Sequence, residues 1–316
     1  MTNQVRITND EWQKGTTGPS LRETNASIST KLAIFARDIK ISHSVFALPW
    51  ALLATFLAAN GWPKLGQVVL IVLCMVTART VAMAANRLLD AQLDAKNPRT
   101  AKRAIPSGAL SRQFVVMSLA ICAIAFVAAT AGFGLLYANW LPLFLSIPVL
   151  AFISSYPLLK RFSRLCHYYL GASLALAPVC AWIAIAGTVT LAPILMFITV
   201  LLWTAGFDII YACQDYESDL QTGVVSVPSK FGILGALWIS RLTHVLCLAA
   251  MLALGILTPQ LRGLYFVGVA CAAILLVIEH AIVKPDDLSK VGLAFFTVNG
   301  IISVIIGTLG ILDVFF

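Results

Sequence analysis

The chain has 316 residues, 59% of them hydrophobic and only 11% charged, with a formal net charge of +8. A water-soluble domain is usually about a quarter charged, so the composition excludes one and describes a membrane protein. Nucleic-acid binding is a poor reading of the positive balance, because the basic residues are dispersed around short loops between apolar segments.

Residues 1–30 are polar, lack the apolar core of a signal peptide and are expected to form a disordered cytoplasmic arm, leaving 31–316 as one polytopic domain. A transmembrane helix needs roughly 20 mostly apolar residues. Nine such windows lie between breaks of Pro, Gly or charge, at 43–60, 65–89, 112–131, 134–155, 168–187, 191–211, 235–257, 261–283 and 291–312. The expected fold is an all-α membrane protein, a nine-helix transmembrane bundle. Lys and Arg gather in the N-terminal arm, at 96–112, 160–164, 230–241 and 284–290, all on one side of such a bundle, whereas only Lys64 and Arg262 fall on the other. The positive-inside bias then makes the N-terminus and these loops cytoplasmic in the inner (plasma) membrane and puts the C-terminus outside. The seven cysteines lie mostly inside the windows with no CxxC pair, so they frame neither disulfides nor a zinc site.

The second window runs into "NRLLDAQLDAKNPRT" (86–100). Helical residues four apart differ by about 40° around the axis and those seven apart by about 20°. Arg79, Met83, Asn86, Asp90 and Asp94 therefore share one stripe. The sixth window ends in "DIIYACQDYESD", where Asp208, Tyr211, Asp215 and Asp219 again step by three or four. Acids at helix ends are commonly just solvated charges. Here two clusters follow even-numbered windows, hence share a membrane face, and Asp208 lies deep enough in an apolar run that an ionised group needs a partner or a wet cavity.

Carboxylates converging from two helices repel one another, and a hard divalent cation relieves this. Oxygen ligands without His or Cys favour Mg²⁺, which binds through one or two carboxylates and completes its shell with water and phosphate oxygens. The loops carry the complementary charge: Lys96, Arg99, Lys102 and Arg103 after the first cluster, Tyr156, Lys160, Arg161 and Arg164 after the fourth window, and Arg37 and Lys40 near the first. Arg and Lys suit phosphate, although any one of them also serves as a topology signal among lipid headgroups. His43 at the start of the first window is either interfacial or in contact with a ligand, and His167, Glu279, His280 and the "KPDD" of 284–287 read as solvated helix ends.

Over roughly residues 35–312 the chain resembles the UbiA-type superfamily of intramembrane prenyltransferases. The resemblance rests on "NRLLDAQLD", on "RT" followed by "PSG", on "YPLLKR" and on "DIIYACQDYESD", in that order and on one side. It implies a bundle around a central cavity that binds a polyprenyl diphosphate through Mg²⁺, with membrane lipid around it, and transfers the prenyl group to an aromatic acceptor of the 4-hydroxybenzoate or dihydroxynaphthoate type. By the same resemblance Asn86, Asp90 and Asp94 form one metal–diphosphate arm, Asp215 and Asp219 the other, and Asp208 and Tyr211 extend it. Arg99, Arg103, Tyr156, Lys160 and Lys40 would hold the diphosphate as it leaves. Where benzoate prenyltransferases commonly read "RPLPSG" this chain has "RAIPSG", and "ARTVAMAANRLLDAQLDAKNPRTA" looks closer to the branch serving the futalosine route to menaquinone. Haem, homogentisate and chlorophyll precursors stay open as other acceptors. From other classes, an ion-coupled secondary transporter would use intramembrane acids and a CDP-alcohol phosphatidyltransferase would use spaced aspartates. The first predicts broken midplane helices, and the second a Gly that this pattern lacks.

Overall fold

The structure is a computed structural model and describes residues 27–40 and 45–316. His43 and most of the expected arm lie outside the described residues. Eleven helices carry the described chain: α1 Ile28–Asp38, α2 Leu48–Ala59, α3 Leu65–Lys96, α4 Arg112–Tyr137, α5 Leu141–Leu159, α6 Cys166–Ala186, α7 Leu191–Ala212, α8 Tyr216–Thr222, α9 Val227–Leu257, α10 Gly263–Ile282 and α11 Val291–Asp313. Among the described residues eight of these are long and apolar enough to cross a membrane, and α2 is a shorter apolar helix of the same bundle. The molecule is a multi-pass, all-helical membrane protein.

Local chemistry marks the boundaries. The Ser27, Ser111 and Ser226 hydroxyls accept the N–H groups of Thr30, Phe114 and Ser229, capping the starts of α1, α4 and α9. Helix α1 thus begins at Ile28, inside the stretch expected as disordered. Gly187 and Gly223 close α6 and α8 with φ of 68° and 74°, a conformation that costs glycine little. Helices α3 and α9 outrun their hydropathy windows the furthest. Helix α3 continues from 89 to Lys96 because its last turns are polar but well formed, and α9 begins at Val227, eight residues early, with a break at Gly232 (φ 70°).

Helices α6 and α9 flank α7 and enclose it, with α2 against α6. Gly171 lets α6 approach α7 so closely that a Cβ there would stand 2.4 Å from the Leu201 carbonyl oxygen. Trp50, Phe133, Trp203 and Phe207 fill the centre. A buried polar network crosses this core: the Trp203 indole donates to Asn299 Oδ1 (2.7 Å), and Asn299 Nδ2 donates to Glu279 (2.8 Å) and to the Ala294 carbonyl (3.0 Å). The last bond lies beside a π-helical stretch, Ala294–Val298, within α11. Glu279 is therefore fully buried and His280 half-buried against His244, which corrects their reading as solvated helix ends.

Candidate active site

The C-terminal ends of α3, α5 and α7 and the N-terminal ends of α6 and α9 meet at one end of the bundle. There they surround a polar chamber of about 1240 Å³, counting the space open to solvent. Lys40, Arg79, Asn86, Arg103, Tyr156, Lys160, Asp208, Tyr211, Asp215 and Asp219, all singled out by the sequence, line it. A second, apolar chamber of about 1130 Å³ runs inward between α3, α4, α5 and α6. Arg79, Met83, Tyr156, Leu170 and Leu174 line both, so the two spaces adjoin.

The acids of the two motifs are individually covered, although Asp90, Asp94 and Arg99 are not among the residues that line the chamber. Asp90, fully buried, accepts from Lys160 Nζ (2.6 Å) and from Asn86 Nδ2 (2.9 Å). Asp94, 5% exposed, accepts from Arg103 Nη1 on both oxygens (2.7 and 2.8 Å). Asp215 receives Arg99 Nε (2.8 Å) and Asn97 Nδ2 (2.7 Å), while Arg99 Nη1 reaches the Tyr211 hydroxyl (2.9 Å). Burial alone would lower the Arg99 guanidinium. The hydrogen bonds and charges of Asp215 and Tyr211 outweigh burial and hold Arg99 above its ordinary value. Asp219 accepts from the Ser226 hydroxyl (2.7 Å). The loop after the first cluster thus clasps the second. The Val225 N–H donates to the Lys160 carbonyl (2.7 Å) and joins the α8–α9 loop to the end of α5.

Asp208 is held by a residue the sequence reading took for a solvated helix end. His167 is 3% exposed, and its Nδ1 lies 2.7 Å from Asp208 Oδ2 while Nε2 accepts the Val227 N–H (3.2 Å). Because Nε2 is an acceptor, the proton sits on Nδ1 and His167 donates to Asp208. Asp38, Arg87 and Asn97 were also missed as site residues. Their roles arise from partners distant in sequence or across a loop, and no local pattern marks them. Arg37 is exposed on α1 and lies away from both chambers' linings.

Among the described residues no three His, Cys, Asp or Glu side chains form a ready metal cage. The donor set nevertheless fits a hard cation that brings most of its own ligands. Its candidate ligands are carboxylate oxygens, the Asn86 amide oxygen already accepting Arg87 Nη1. Asp90 Oδ1 is buried with no hydrogen-bond partner, with Arg161 Nη2 4.0 Å away.

Residues 47–301 match the UbiA prenyltransferase family. The chain is 30% identical over 258 residues to the 4-hydroxybenzoate octaprenyltransferase of Methylococcus capsulatus, covering 79% of this chain and 84% of that one. It is 29% identical over 285 residues to the enzyme of the same name from Photobacterium profundum, covering 88% and 94%. Among solved structures, the apo UbiA homolog from Aeropyrum pernix K1 matches with a TM-score of 0.77 at 31% identity, over 86% of this chain and 98% of that one. A UbiA homolog from Archaeoglobus fulgidus bound to DMAPP and Mg²⁺ matches with a TM-score of 0.65 at 18% identity over 89% and 98%, a likeness of fold alone. The chain belongs to the UbiA prenyltransferase family and is a multi-pass membrane prenyltransferase.

Proposed function

We propose that this enzyme transfers a polyprenyl group from a polyprenyl diphosphate to an aromatic acceptor in quinone biosynthesis, menaquinone or ubiquinone, with Mg²⁺ as cofactor. One observation carries the reading: a chamber lined by acids and bases adjoins an apolar one, with five lining residues in common. A prenyl diphosphate is half polyanion and half hydrocarbon. Its head needs cations, and its tail needs a dry apolar wall.

Asp90, Asp94, Asp215 and Asp219, with Asn86 beside them, are the residues that would hold Mg²⁺. Bound there, it would neutralise the diphosphate and stabilise the charge that builds as the allylic C–O bond breaks. Lys160, Arg103 and Arg99 each sit on a motif carboxylate. By turning from those carboxylates to diphosphate oxygens they would hold the leaving group without creating an unpaired buried charge. Arg79 and Tyr156, lining both chambers, flank the junction where head meets tail. The apolar chamber excludes water from the cation-like allyl carbon while the acceptor ring attacks. Asp208, with one oxygen fixed by His167, faces the polar chamber and can receive the proton the ring loses.

The curated relatives' names favour 4-hydroxybenzoate as acceptor, and the stretch "ARTVAMAANRLLDAQLDAKNPRTA" favours a dihydroxynaphthoate. The basic loops favour a chamber facing the cytoplasm of the inner membrane. Purified protein in detergent with one long-chain donor, offered each acceptor in turn, decides between the two. Asp215→Ala and Asp90→Asn should each abolish transfer in protein that remains folded, and chelation by EDTA should silence the wild type. Full activity in either variant would remove the metal–diphosphate roles.

A further inference from the structure

We infer that Asp38, on helix α1, is a positioning residue that sets the orientation of Asn86 and Asp90 through Arg87 and braces the Arg103 loop. The inference rests on the metal–diphosphate role proposed above for the first motif. Asp38 precedes helix α2 by ten residues, yet its side chain is only 11% exposed. Its Oδ2 accepts Arg87 Nε (3.0 Å), its main-chain carbonyl accepts Arg87 Nη2 (2.8 Å), and its Oδ1 accepts the Ala104 N–H (2.9 Å). One residue thereby gathers a guanidinium from α3 and a backbone donor from the α3–α4 loop.

The consequence for Asn86 follows from donor and acceptor chemistry. Arg87 Nη1 donates to Asn86 Oδ1 (2.7 Å), and Asn86 Nδ2 donates to Asp90 Oδ2 (2.9 Å). A guanidinium can only donate and a carboxylate can only accept, so the amide between them has a single allowed orientation. Arg87 is 3% exposed, with its Nε and Nη2 spent on Asp38, so it cannot swing away without breaking that pair. Asp38 therefore fixes Arg87, Arg87 fixes the Asn86 amide, and the amide presents Asp90 with its second oxygen left without a hydrogen bond. On the other branch, the Ala104 N–H follows Arg103, whose guanidinium covers both oxygens of Asp94.

The competing account is that Asp38 merely docks α1. Apolar contact already serves docking, since Phe35 and Ile39 pack in one cluster with Ala84, Ala104, Leu110 and Val115. The two accounts separate in a double-mutant cycle. Asp38→Asn keeps an oxygen for the Ala104 N–H but sets an NH₂ against Arg87 Nε, so of the two side-chain links it breaks only the one to Arg87, leaving the main-chain bond to Nη2. Full-length protein in detergent is titrated with Mg²⁺ in the presence of farnesyl thiodiphosphate, an analogue that resists ionisation, and binding is read by calorimetry.

Loss of an orienting partner behind a metal ligand typically weakens metal affinity by about tenfold or more, and Asp38→Asn should do so with the KM for acceptor unchanged. Arg87→Met should reproduce the effect from the other end of the link and covers the case in which Asp38→Asn fails to fold. In an Asn86→Ala background Asp38→Asn should add nothing, because the amide it orients is gone. An additive loss, or wild-type binding by both Asp38→Asn and Arg87→Met, overturns the positioning role. If Asn86→Ala itself leaves Mg²⁺-dependent binding intact, it is the metal–diphosphate reading of the motif that fails, and the positioning role falls with it.

Discussion

Arg99 and Lys160 each cover a motif carboxylate, but the two pairs differ in what their loss would measure. The side chains of Arg99 and Asp215 are 30% and 17% exposed. Ion pairs this accessible to water typically contribute roughly 0–1 kcal/mol to stability, less than is lost when a buried pair is broken. Arg99→Met should therefore move the thermal midpoint little while lowering the transfer rate sharply. Unchanged transfer would exclude Arg99 from the diphosphate site. Lys160 instead faces an Asp90 with no exposure, whose Oδ1 already lacks a hydrogen bond. Removing one partner of a buried pair costs about 3–5 kcal/mol. Lys160→Met should lose stability and activity together, so the exposed pair is the cleaner probe of chemistry.

Packing of α6 on α7 decides whether His167 can meet Asp208, and Gly171 sets that spacing. An alanine Cβ there would meet backbone, the Leu201 carbonyl, which has no rotamer with which to yield. Gly171→Ala should destabilise by about 1–3 kcal/mol, the usual cost of overpacking, visible as a lowered thermal midpoint. An unchanged midpoint would mean that α6 and α7 can slide apart freely. The helices themselves were legible in the chain because an apolar window must become a helix in lipid, whatever its neighbours. Their polar extensions were not, since hydropathy stops at the first charges even where α3 continues to Lys96. The stripe from Arg79 to Asp94 was legible from helical periodicity, whereas the steps from Asp208 to Asp219 are not one helical face, because α7 ends at Ala212 and a 3₁₀ turn, Cys213–Asp215, precedes α8. Asp38 and His167 were not legible: Asp38 meets Arg87 and Ala104, and His167 meets Asp208 and Val227, partners that only the fold brings near. The π-helical stretch was equally silent, being tied to an Asn299 side chain whose other partners lie on α7 and α10.

Taken as a whole, the molecule covers its motif carboxylates from within, three with cations and two, Asp208 and Asp219, with neutral donors. Lys160, Arg103 and Arg99 stand on Asp90, Asp94 and Asp215, and His167 on Asp208, so each of these acids has an internal donor. A bundle assembled this way does not need a metal ion to cancel carboxylate repulsion, unlike small domains whose folding free energy comes from the metal. Exhaustive chelation should therefore leave the thermal midpoint in detergent unchanged. Ligand binding should then appear as a gain. Mg²⁺ with farnesyl thiodiphosphate at a hundred times its Kd should stabilise the fold by about 2.7 kcal/mol, a rise of roughly 5 °C for a chain of this size. The analogue without Mg²⁺ should give much less, because its phosphate charge would enter a chamber whose acids remain in place beside the bases it must recruit. Differential scanning fluorimetry of the four combinations reads this directly. A midpoint that collapses on chelation would make the metal structural, and an equal rise with and without Mg²⁺ would mean that Lys160, Arg103 and Arg99 suffice for the diphosphate and the carboxylates hold no ion.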